Sequence, residues 1–425
     1  MNICLVSQEY PPDTARGGIG TQTWNKARTL ARLGHSVHVL SCAAGGGAAW
    51  STKTEDGVTV HRMQPPGQDC GSQFPVYTTT TYWLGYTWTA LRHLHELMQS
   101  NAFDVVDFPE YGAEGFAYQL DRVPWNWAAV AVQLHGPLAM FARHIGWPDG
   151  DCDFYRVGAF MEGVSIKLAD GLMACSANIA DFTAEFYGVS RDSIDVVHCG
   201  VDAEAFRPED EPECRPAEPV LLFVGNIAAN KGVDTVFEAV MRLRSKYPGI
   251  RLRILGKCDD SLAEEFKSRA RGEGAGANIE LRGFVDRAAL PEIYRRADVF
   301  CSPAQHEVGV ANVYIEAMAC GCPVVACTTG AAPEAVTDGQ TGILVPPRDV
   351  EALTAALERL LSDSSLRRRM GEAGRRRVEE YFAMDKYILR VLGVYEKTIE
   401  RSRLKLRELR YASREAEFAG GEARP

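Results

Sequence analysis

The 425-residue sequence has no apolar run that approaches the length of about 20 residues needed by a membrane-spanning helix. Its first residues, MNICLVS, lack the basic region of a signal peptide and predict a first β-strand. Basic residues are in deficit, since 46 Lys and Arg stand against 56 Asp and Glu, for a net charge of −10. This deficit argues against a general nucleic-acid binder, which needs a net basic face, but it leaves the binding of one nucleotide open.

The twelve cysteines form no CxxC pair. Cys4, Cys175 and Cys301 lie in apolar runs that predict strands or strand ends. Cys320 and Cys322 make a CxC, but no second pair of ligands accompanies them, which argues against zinc. We therefore expect reduced, buried thiols in a cytoplasmic protein.

The length of the chain suits two domains of about 200 residues each. Residues 1–200 alternate short apolar strands with amphipathic helical stretches, which predicts a doubly wound parallel sheet. The first strand, at 2–7, leads through a loop containing Gly17, Gly18 and Gly20 to a helix expected at about 21–33. Glycine at this turn lets backbone approach a ligand closely, although a plain tight turn also uses glycine. Residues 209–219 have linker composition, and a second α/β domain opens with a strand at 220–224.

The stretch 302–329, SPAQHEVGVANVYIEAMACGCPVVACTT, combines features that suit a nucleotide-sugar. A polar loop with Glu307 and Gly309 runs into a helix that opens near Asn312, carries Glu316 and ends at Gly321. The free N–H groups of the helix start favour phosphate, and the two carboxylates can accept hydrogen bonds from hydroxyls. An ordinary loop, helix and strand of an α/β domain is the simpler interpretation of the same pattern.

The run EAMACGCPVVA, with a glutamate one or two turns upstream, resembles the retaining glycosyltransferases of family 4 (glycosyl transferases group 1), which have the GT-B fold. The glycine loop after the first strand, His135 before a Gly-Pro turn and Lys231 after the strand at 220–224 follow the family's order. In that family the downstream glutamate binds the donor ribose, which implies this role for Glu316. Seven residues usually separate the two glutamates, whereas eight separate Glu307 from Glu316 here.

The resemblance implies catalytic roles for His135, Glu307 and Lys231. Asn226 stands where the family usually has an arginine, and a neutral amide cannot supply the charge of a guanidinium. The implied donor-binding residues are Gly18, Asn226, Lys231, Gly283, Phe284, Val285, Gly309, Val310, Ala311, Asn312 and Glu316. The implied acceptor-binding residues are Gly17, Glu110 and Tyr111. For Glu110, an acid at the start of a helix is the alternative.

Two further stretches have compositions found in metal sites and in acceptor sites. Asp149, Asp151 and Asp153 form a DxD-like run, but they lie in a polar loop, so we predict a solvated turn and no metal site. Residues 74–88 are dense in aromatics and threonine. They predict either part of the acceptor cleft or a helix that packs its rings into the domain.

The fold implied is GT-B: two Rossmann-like, doubly wound α/β domains with an interdomain cleft. The expected boundaries are an acceptor-binding domain at 1–205, a linker at 206–218, a nucleotide-sugar-binding domain at 219–380, a helix at 381–416 crossing back onto the first domain, and a tail at 417–425. The basic residues at 401–410 could touch an anionic membrane, but interleaved glutamates favour a solvated face.

The function implied is transfer of a hexose, with retention, from a nucleotide-diphosphate sugar to an acceptor hydroxyl in polysaccharide or glycoconjugate biosynthesis. Neither a cofactor nor a metal is expected. Two alternatives are a GT-B epimerase or hydrolase of nucleotide-sugars, and a non-catalytic GT-B subunit that binds or activates a partner transferase.

Overall fold

A computed structural model of the chain describes residues 1–14, 17–44, 50–65, 79–125, 127–209, 218–257 and 260–420, with backbone alone for 411–420. The chain divides into two compact units. The first comprises Met1–Val197 and Ile388–Pro425, and the second comprises His198–Tyr387. Most of the expected linker and residues 74–78 of the aromatic stretch lie outside the described residues.

The first unit is built on an eight-stranded sheet in the order β3-β4-β2-β1-β5-β6-β7-β8. Strands β1 and β5 to β7 bury almost every residue, as expected when helices cover both faces of a parallel sheet. The pair β3–β4 is the antiparallel hairpin. The strands are β1 Asn2–Val6, β2 Ser36–Cys42, β3 Trp50–Glu55, β4 Val58–Met63, β5 Val105–Pro109, β6 Ala129–Leu134, β7 Gly171–Ala174 and β8 Ile194–Val196.

The helices of the first unit include one that begins earlier than the sequence predicted. Helix α1 starts at Gly18, three residues before the expected Thr21, because Gly17 is extended and Gly20 packs against Glu9. A Cβ at Gly20 would lie 2.7 Å from Glu9 Cβ, so only glycine allows that first turn. The helices are α1 Gly18–Arg32, α2 Thr80–Met98, α3 Phe116–Asp121, α4 Leu138–Ile145, α5 Asp153–Leu168 and α6 Ala177–Tyr187.

The described part of the aromatic stretch lies at the start of helix α2. Its rings Trp83 and Tyr86 are fully buried, which favours a helix that packs its rings into the domain over part of an acceptor cleft. Trp88 is the exception and is 63% exposed. The Asp149–Asp153 run is an exposed turn followed by the first residue of α5, as predicted.

The last helix, α14 (Met384–Gly420), packs against the first unit from Ile388 onward. The Tyr395 hydroxyl donates a hydrogen bond to Asp107, and the Trp127 indole donates to Ser402 Oγ at 2.8 Å. The basic side chains of residues 401–410 are exposed. Among the described residues, no helix combines the length and apolarity required to cross a membrane.

The second unit contains a six-stranded parallel sheet in the order β11-β10-β9-β12-β13-β14. Counted from its own first strand this is the order 3-2-1-4-5-6 of dinucleotide-binding folds. The strands are β9 Val220–Val224, β10 Arg251–Leu255, β11 Ile279–Gly283, β12 Val299–Cys301, β13 Val324–Cys327 and β14 Gly342–Val345. The helices are α7 Val233–Leu243, α8 Asp260–Gly272, α9 Leu290–Arg295, α10 Asn312–Ala319, α11 Ala332–Ala335, α12 Val350–Ser362 and α13 Ser364–Arg377. Two apolar clusters cover its two faces.

The nine cysteines among the described residues are free thiols, and eight of them are buried. Burial raises the pKa of the Cys4 and Cys301 thiols far above their usual value, so both remain protonated packing residues.

Candidate active site

The order of the strands in the second unit fixes where a ligand can bind. The chain leaves β9 on one side and β12 on the other, and these two strands pair in parallel. Loops that follow such neighbouring strands diverge and leave a crevice at the carboxyl ends of the strands. Lys231 lies in the turn after β9, and Glu307 lies in the loop after β12. Two residues predicted to be catalytic therefore lie at the same switch point.

Lys231 and Glu307 form an ion pair at this point. Lys231 Nζ lies 3.0 Å from Glu307 Oε1 and 3.2 Å from Oε2. The lysine side chain is 33% exposed, whereas that of Glu307 is only 11% exposed. Glu307 thus contacts Lys231 despite the one-residue offset from the family spacing. In this pair the lysine ammonium is accessible and the carboxylate is largely buried.

Glycines hold the two loops together. Gly232, with φ +75°, has no room for a side chain, because a Cβ would lie 2.2 Å from the carbonyl oxygen of Pro303. Gly330, with φ +65°, is equally tight, because a Cβ would lie 2.0 Å from the carbonyl oxygen of Glu307. That carbonyl accepts the Ala331 N–H at 2.6 Å. The backbone on both sides of Glu307 is therefore fixed by contacts that only glycine permits.

The start of α10 offers donors to an anion. Its N-cap residue, Ala311, is extended and makes no side-chain capping hydrogen bond, although its carbonyl oxygen accepts the Tyr314 N–H at 3.1 Å. Asn312 Oδ1 is buried and has no hydrogen-bond partner within the described part of the chain. The preceding Val308 and Val310 are buried and fix the direction of the loop. The predicted donor-binding residues Gly309 to Asn312 thus lead into an uncapped helix start, where phosphate is favoured.

Glu316 is buried inside the second unit, with 2% of its surface exposed. The Tyr294 hydroxyl donates to its Oε2 at 3.1 Å, and Arg287 Nη1 lies 2.7 Å from its Oε1. Burial raises the pKa of Tyr294 well above its usual value, which keeps the hydroxyl a donor. Sequence reasoning missed Arg287, because a charged residue in a turn gives no local sign that it meets a carboxylate 29 positions away.

The remaining predicted donor-binding residues of the second unit lie at the carboxyl ends of β9 and β11. Gly283 has φ +66°, and the Phe284 side chain after it is 69% exposed. Asn226, at the position where the family usually has arginine, is exposed and neutral. Lys257, on the neighbouring strand end, is an exposed cation that the sequence analysis did not select, and its Nζ lies 5.9 Å from the Phe284 ring.

The predicted residues of the first unit also gather at a switch point, where the chain leaves β1 and β5 in opposite directions. Gly17 and Gly18 begin α1, and a Cβ at Gly17 would lie 3.2 Å from Glu9 Oε2. Tyr111 follows β5 and packs edge-on against Trp83 at a centroid distance of 5.6 Å. Burial and nearby carboxylates raise the pKa of Tyr111, so its hydroxyl stays protonated.

Glu110 differs from its predicted use. It is fully buried, and its oxygens accept the N–H of His135 at 2.7 Å and the N–H of Gly136 at 2.5 Å. Burial raises the pKa of Glu110 to about 7, although the backbone donors oppose that rise. In the described structure this carboxylate accepts hydrogen bonds from backbone N–H groups of its own unit. The alternative interpretation of the sequence, an acid at the start of a helix, does not apply to Glu110 either.

His135 directly follows β6 and is half-buried. Its Nδ1 lies 3.5 Å from Cys175 Sγ, a residue that the sequence analysis placed only as a buried strand end. Gln133 Nε2 donates to the same sulfur at 3.5 Å. One ring nitrogen of the imidazole therefore contacts the residue that directly follows the neighbouring strand β7.

Two mostly parallel α/β sheets, each with glycine turns and polar residues at its switch point, define a protein of the two-domain Rossmann-like class. The family described as Glycosyltransferase Family 4 matches residues 16–205, and that described as Glycosyl transferases group 1 matches residues 208–377. The chain belongs to the group 1 glycosyltransferases and has the GT-B fold, as the sequence motifs predicted.

Relatives match over most of their length. A glycogen synthase of Mycobacterium tuberculosis is 30% identical over 395 residues, which cover 90% of this chain and 91% of that protein. A D-inositol 3-phosphate glycosyltransferase of Kribbella flavida is 28% identical over 380 residues, covering 86% of this chain and 87% of that protein. Among solved structures, a sucrose-phosphate synthase of Thermosynechococcus elongatus superposes with a TM-score of 0.79 at 20% identity, covering 93% of this chain and 98% of that one.

Proposed function

We propose that this glycosyltransferase moves a hexose from a nucleotide-diphosphate sugar to an acceptor hydroxyl, with retention at the anomeric carbon and without a metal. The observation that carries the proposal is the ion pair of Lys231 and Glu307 at the switch point of the second unit. The accessible ammonium suits a diphosphate, and the carboxylate beside it suits sugar hydroxyls, which supports the proposal.

The leaving diphosphate gains charge as the bond to the sugar breaks. Lys231 would neutralise part of that charge, and the uncapped N–H groups at the start of α10 would donate hydrogen bonds to the phosphate oxygens. Both groups are fixed before the ligand arrives, so little reorganisation is needed. The same leaving phosphate can take the proton of the acceptor hydroxyl, and we therefore assign no protein base or nucleophile.

The carboxylates recognise hydroxyl groups in this proposal. Glu316 would accept from the ribose while Arg287 and Tyr294 keep it in place. In the second unit, Glu307 would accept hydrogen bonds from hexose hydroxyls. In the first unit, we assign His135 to the donor sugar and Gly17 and Tyr111 to the acceptor. We also propose a cytoplasmic location, which the free, buried thiols of the described residues support.

A non-catalytic GT-B subunit is the second candidate, and the exposed amide of Asn226 favours it. Without the usual arginine, diphosphate affinity rests on Lys231 and on the backbone. Replacing Glu316 by Ala separates the two candidates. An enzyme loses turnover, whereas a scaffold leaves the activity of its partner transferase unchanged.

The first experiment is a thermal-shift panel with UDP, GDP, ADP and TDP, with and without magnesium. A diphosphate at 100 times its Kd stabilises the folded chain by about 2.7 kcal/mol. For a unit of this size the midpoint then rises by about 5 °C or more. Lys231→Met should abolish the shift. Lys246→Met should retain it, because Lys246 pairs with Glu358 at 2.6 Å elsewhere on the same unit.

Product analysis then tests the finer claims. Release of the diphosphate from the corresponding glucose nucleotide should continue in EDTA, and the first product should keep the anomeric configuration of the donor by NMR. Inversion, or loss of turnover in EDTA, contradicts the mechanism. No shift with any of the four diphosphates at millimolar concentration favours the non-catalytic subunit.

A further inference from the structure

Residues 135–138, His-Gly-Pro-Leu, join the end of β6 to the start of α4. Pro137 is the N-cap of α4 and makes no side-chain capping hydrogen bond, so the segment cannot satisfy its own N–H groups locally. Gly136 has φ +137°, a backbone conformation that ordinary side chains disfavour. Buried N–H groups need acceptors, and here these must come from other elements.

Two buried carboxylates supply those acceptors, one at each end of the segment. Glu110, after β5, accepts the N–H groups of His135 and Gly136 at 2.5–2.7 Å. Glu162, on α5, accepts the N–H of Leu138 at 2.9 Å and therefore caps α4 from a neighbouring helix. Both glutamates are fully buried. A third contact holds Glu162 itself, since the Tyr187 hydroxyl donates to the same oxygen at 3.0 Å.

This arrangement costs stability. Burial raises the pKa of Glu110 to about 7, and burial together with the nearby Glu110 raises the pKa of Glu162 well above its usual value. Apolar side chains could fill comparable space without the desolvation cost of two acids. Carboxylates instead impose direction, since each must lie in line with particular N–H groups. The two buried carboxylates therefore lower the stability of the fold but fix the backbone path of residues 135–138.

We infer that Glu110 and Glu162 are positioning residues that fix the path of residues 135–138 and thereby place the His135 imidazole for sugar transfer. The inference rests on the proposed role of His135 in that reaction. Under this inference Glu110 does not bind the acceptor substrate, as the sequence resemblance implied, but acts through the backbone of His135. It also adds Glu162, which no sequence motif marked.

Asp170, which binds the backbone at the other end of β6, provides a matched control. Asp170 is also buried, with 8% of its surface exposed, and its Oδ2 accepts the Val130 N–H at 3.0 Å near the start of β6. It forms an ion pair with Arg122. Asp170 immediately precedes β7, so Asp170→Asn alters a buried carboxylate that binds the start of β6 without touching the segment that carries His135.

The test is a double-mutant cycle of Glu110→Gln and His135→Ala, with Asp170→Asn as the control in both backgrounds. The assay measures release of nucleoside diphosphate from UDP-, GDP-, ADP- or TDP-glucose, whichever base the thermal panel selects. Glu110→Gln should lower kcat about ten-fold or more with donor KM changed less than about three-fold, because a misplaced group weakens the transition state more than binding. In the His135→Ala background Glu110→Gln should lower kcat by less than two-fold further.

Hydrogen exchange gives a readout independent of turnover. Peptides covering residues 133–140 should exchange faster in Glu110→Gln and in Glu162→Gln, whereas Asp170→Asn should leave them protected. Should Glu110→Gln fail to fold, Glu162→Gln goes through the same cycle, because it releases the other end of the segment.

Three outcomes overturn the inference. Equal losses from Glu110→Gln with and without His135 mean that the carboxylate acts independently of the imidazole. An impaired His135→Ala beside a fully active Glu110→Gln refutes positioning while the proposed function stands. Full activity of His135→Ala removes both the assigned role of His135 and the inference built on it.

Discussion

Removing the charge of Glu307 should tighten the binding of a free nucleoside diphosphate while slowing transfer. Glu307→Gln keeps the shape of the side chain and its contact with Lys231, whose Nζ lies 3.0 Å from the carboxylate. A phosphate oxygen bound by that ammonium would lie about 3 Å from it, and hence about 6 Å from residue 307. At an effective dielectric constant of about 40, two unit charges at about 6 Å repel by about 1.4 kcal/mol. Affinity should therefore rise about ten-fold.

Isothermal titration with the diphosphate at low ionic strength measures this gain, which added salt should reduce. Turnover should fall in the same variant, because an amide places a donor where the carboxylate offered only acceptors to the sugar hydroxyls. Glu358→Gln is the control. It makes the same change in net charge beside Lys246 at an exposed pair of the second unit. Weaker binding by Glu307→Gln, or an equal gain in Glu358→Gln, would refute the assignment of Lys231 to the diphosphate.

Three further predictions concern stability. Lys26→Met removes the counter-ion of the buried Asp107, which keeps its hydrogen bond from the Tyr395 hydroxyl. The free energy of unfolding should fall by about 3–5 kcal/mol in denaturant titrations, with partial recovery when Asp107 is also made apolar. Burial raises the pKa of Glu114 to about 8 from a usual value of 4.5. Its contribution to the free energy of unfolding is therefore complete below about pH 4.5 and is lost as the pH rises through 8. The stability of Glu114→Gln relative to the parent protein should accordingly increase between about pH 5 and 8.5. Gly330→Ala should lower the thermal midpoint and abolish diphosphate binding, whereas Gly339→Ala, which shares a positive φ but has nothing within 4 Å of the added Cβ, should cost only about 1–2 kcal/mol.

Much of the second unit could be predicted from local sequence. Helix α10 begins at Asn312 as expected, because an extended loop meets a run of helix-compatible residues there. It ends before Gly321, whose φ of +72° suits glycine, and Pro323 prevents its continuation. Such signals act within a few residues, so they survive in the sequence alone.

The start of α1 and the use of Glu110 could not be predicted in the same way. Gly18 and Gly20 look like loop glycines in the sequence, but both lie in the first turn of the helix, where Gly20 packs against Glu9. Glu110 follows a strand, as a ligand-binding residue would, yet its carboxylate is turned toward the N–H of His135. In both cases a contact between separate elements overrode the local pattern.

By itself, the sequence determined which elements form and which chemical groups follow each strand, because periodicity, glycine and proline act locally. Tertiary structure alone decided which partners meet. Lys231 and Glu307 are 76 positions apart, and Arg287 and Glu316 are 29 apart, yet each pair is within about 3 Å. Hydrogen bonds and ion pairs act over a few ångströms of space rather than along the chain, so only the packing of the strands could show that the offset glutamate reaches the lysine.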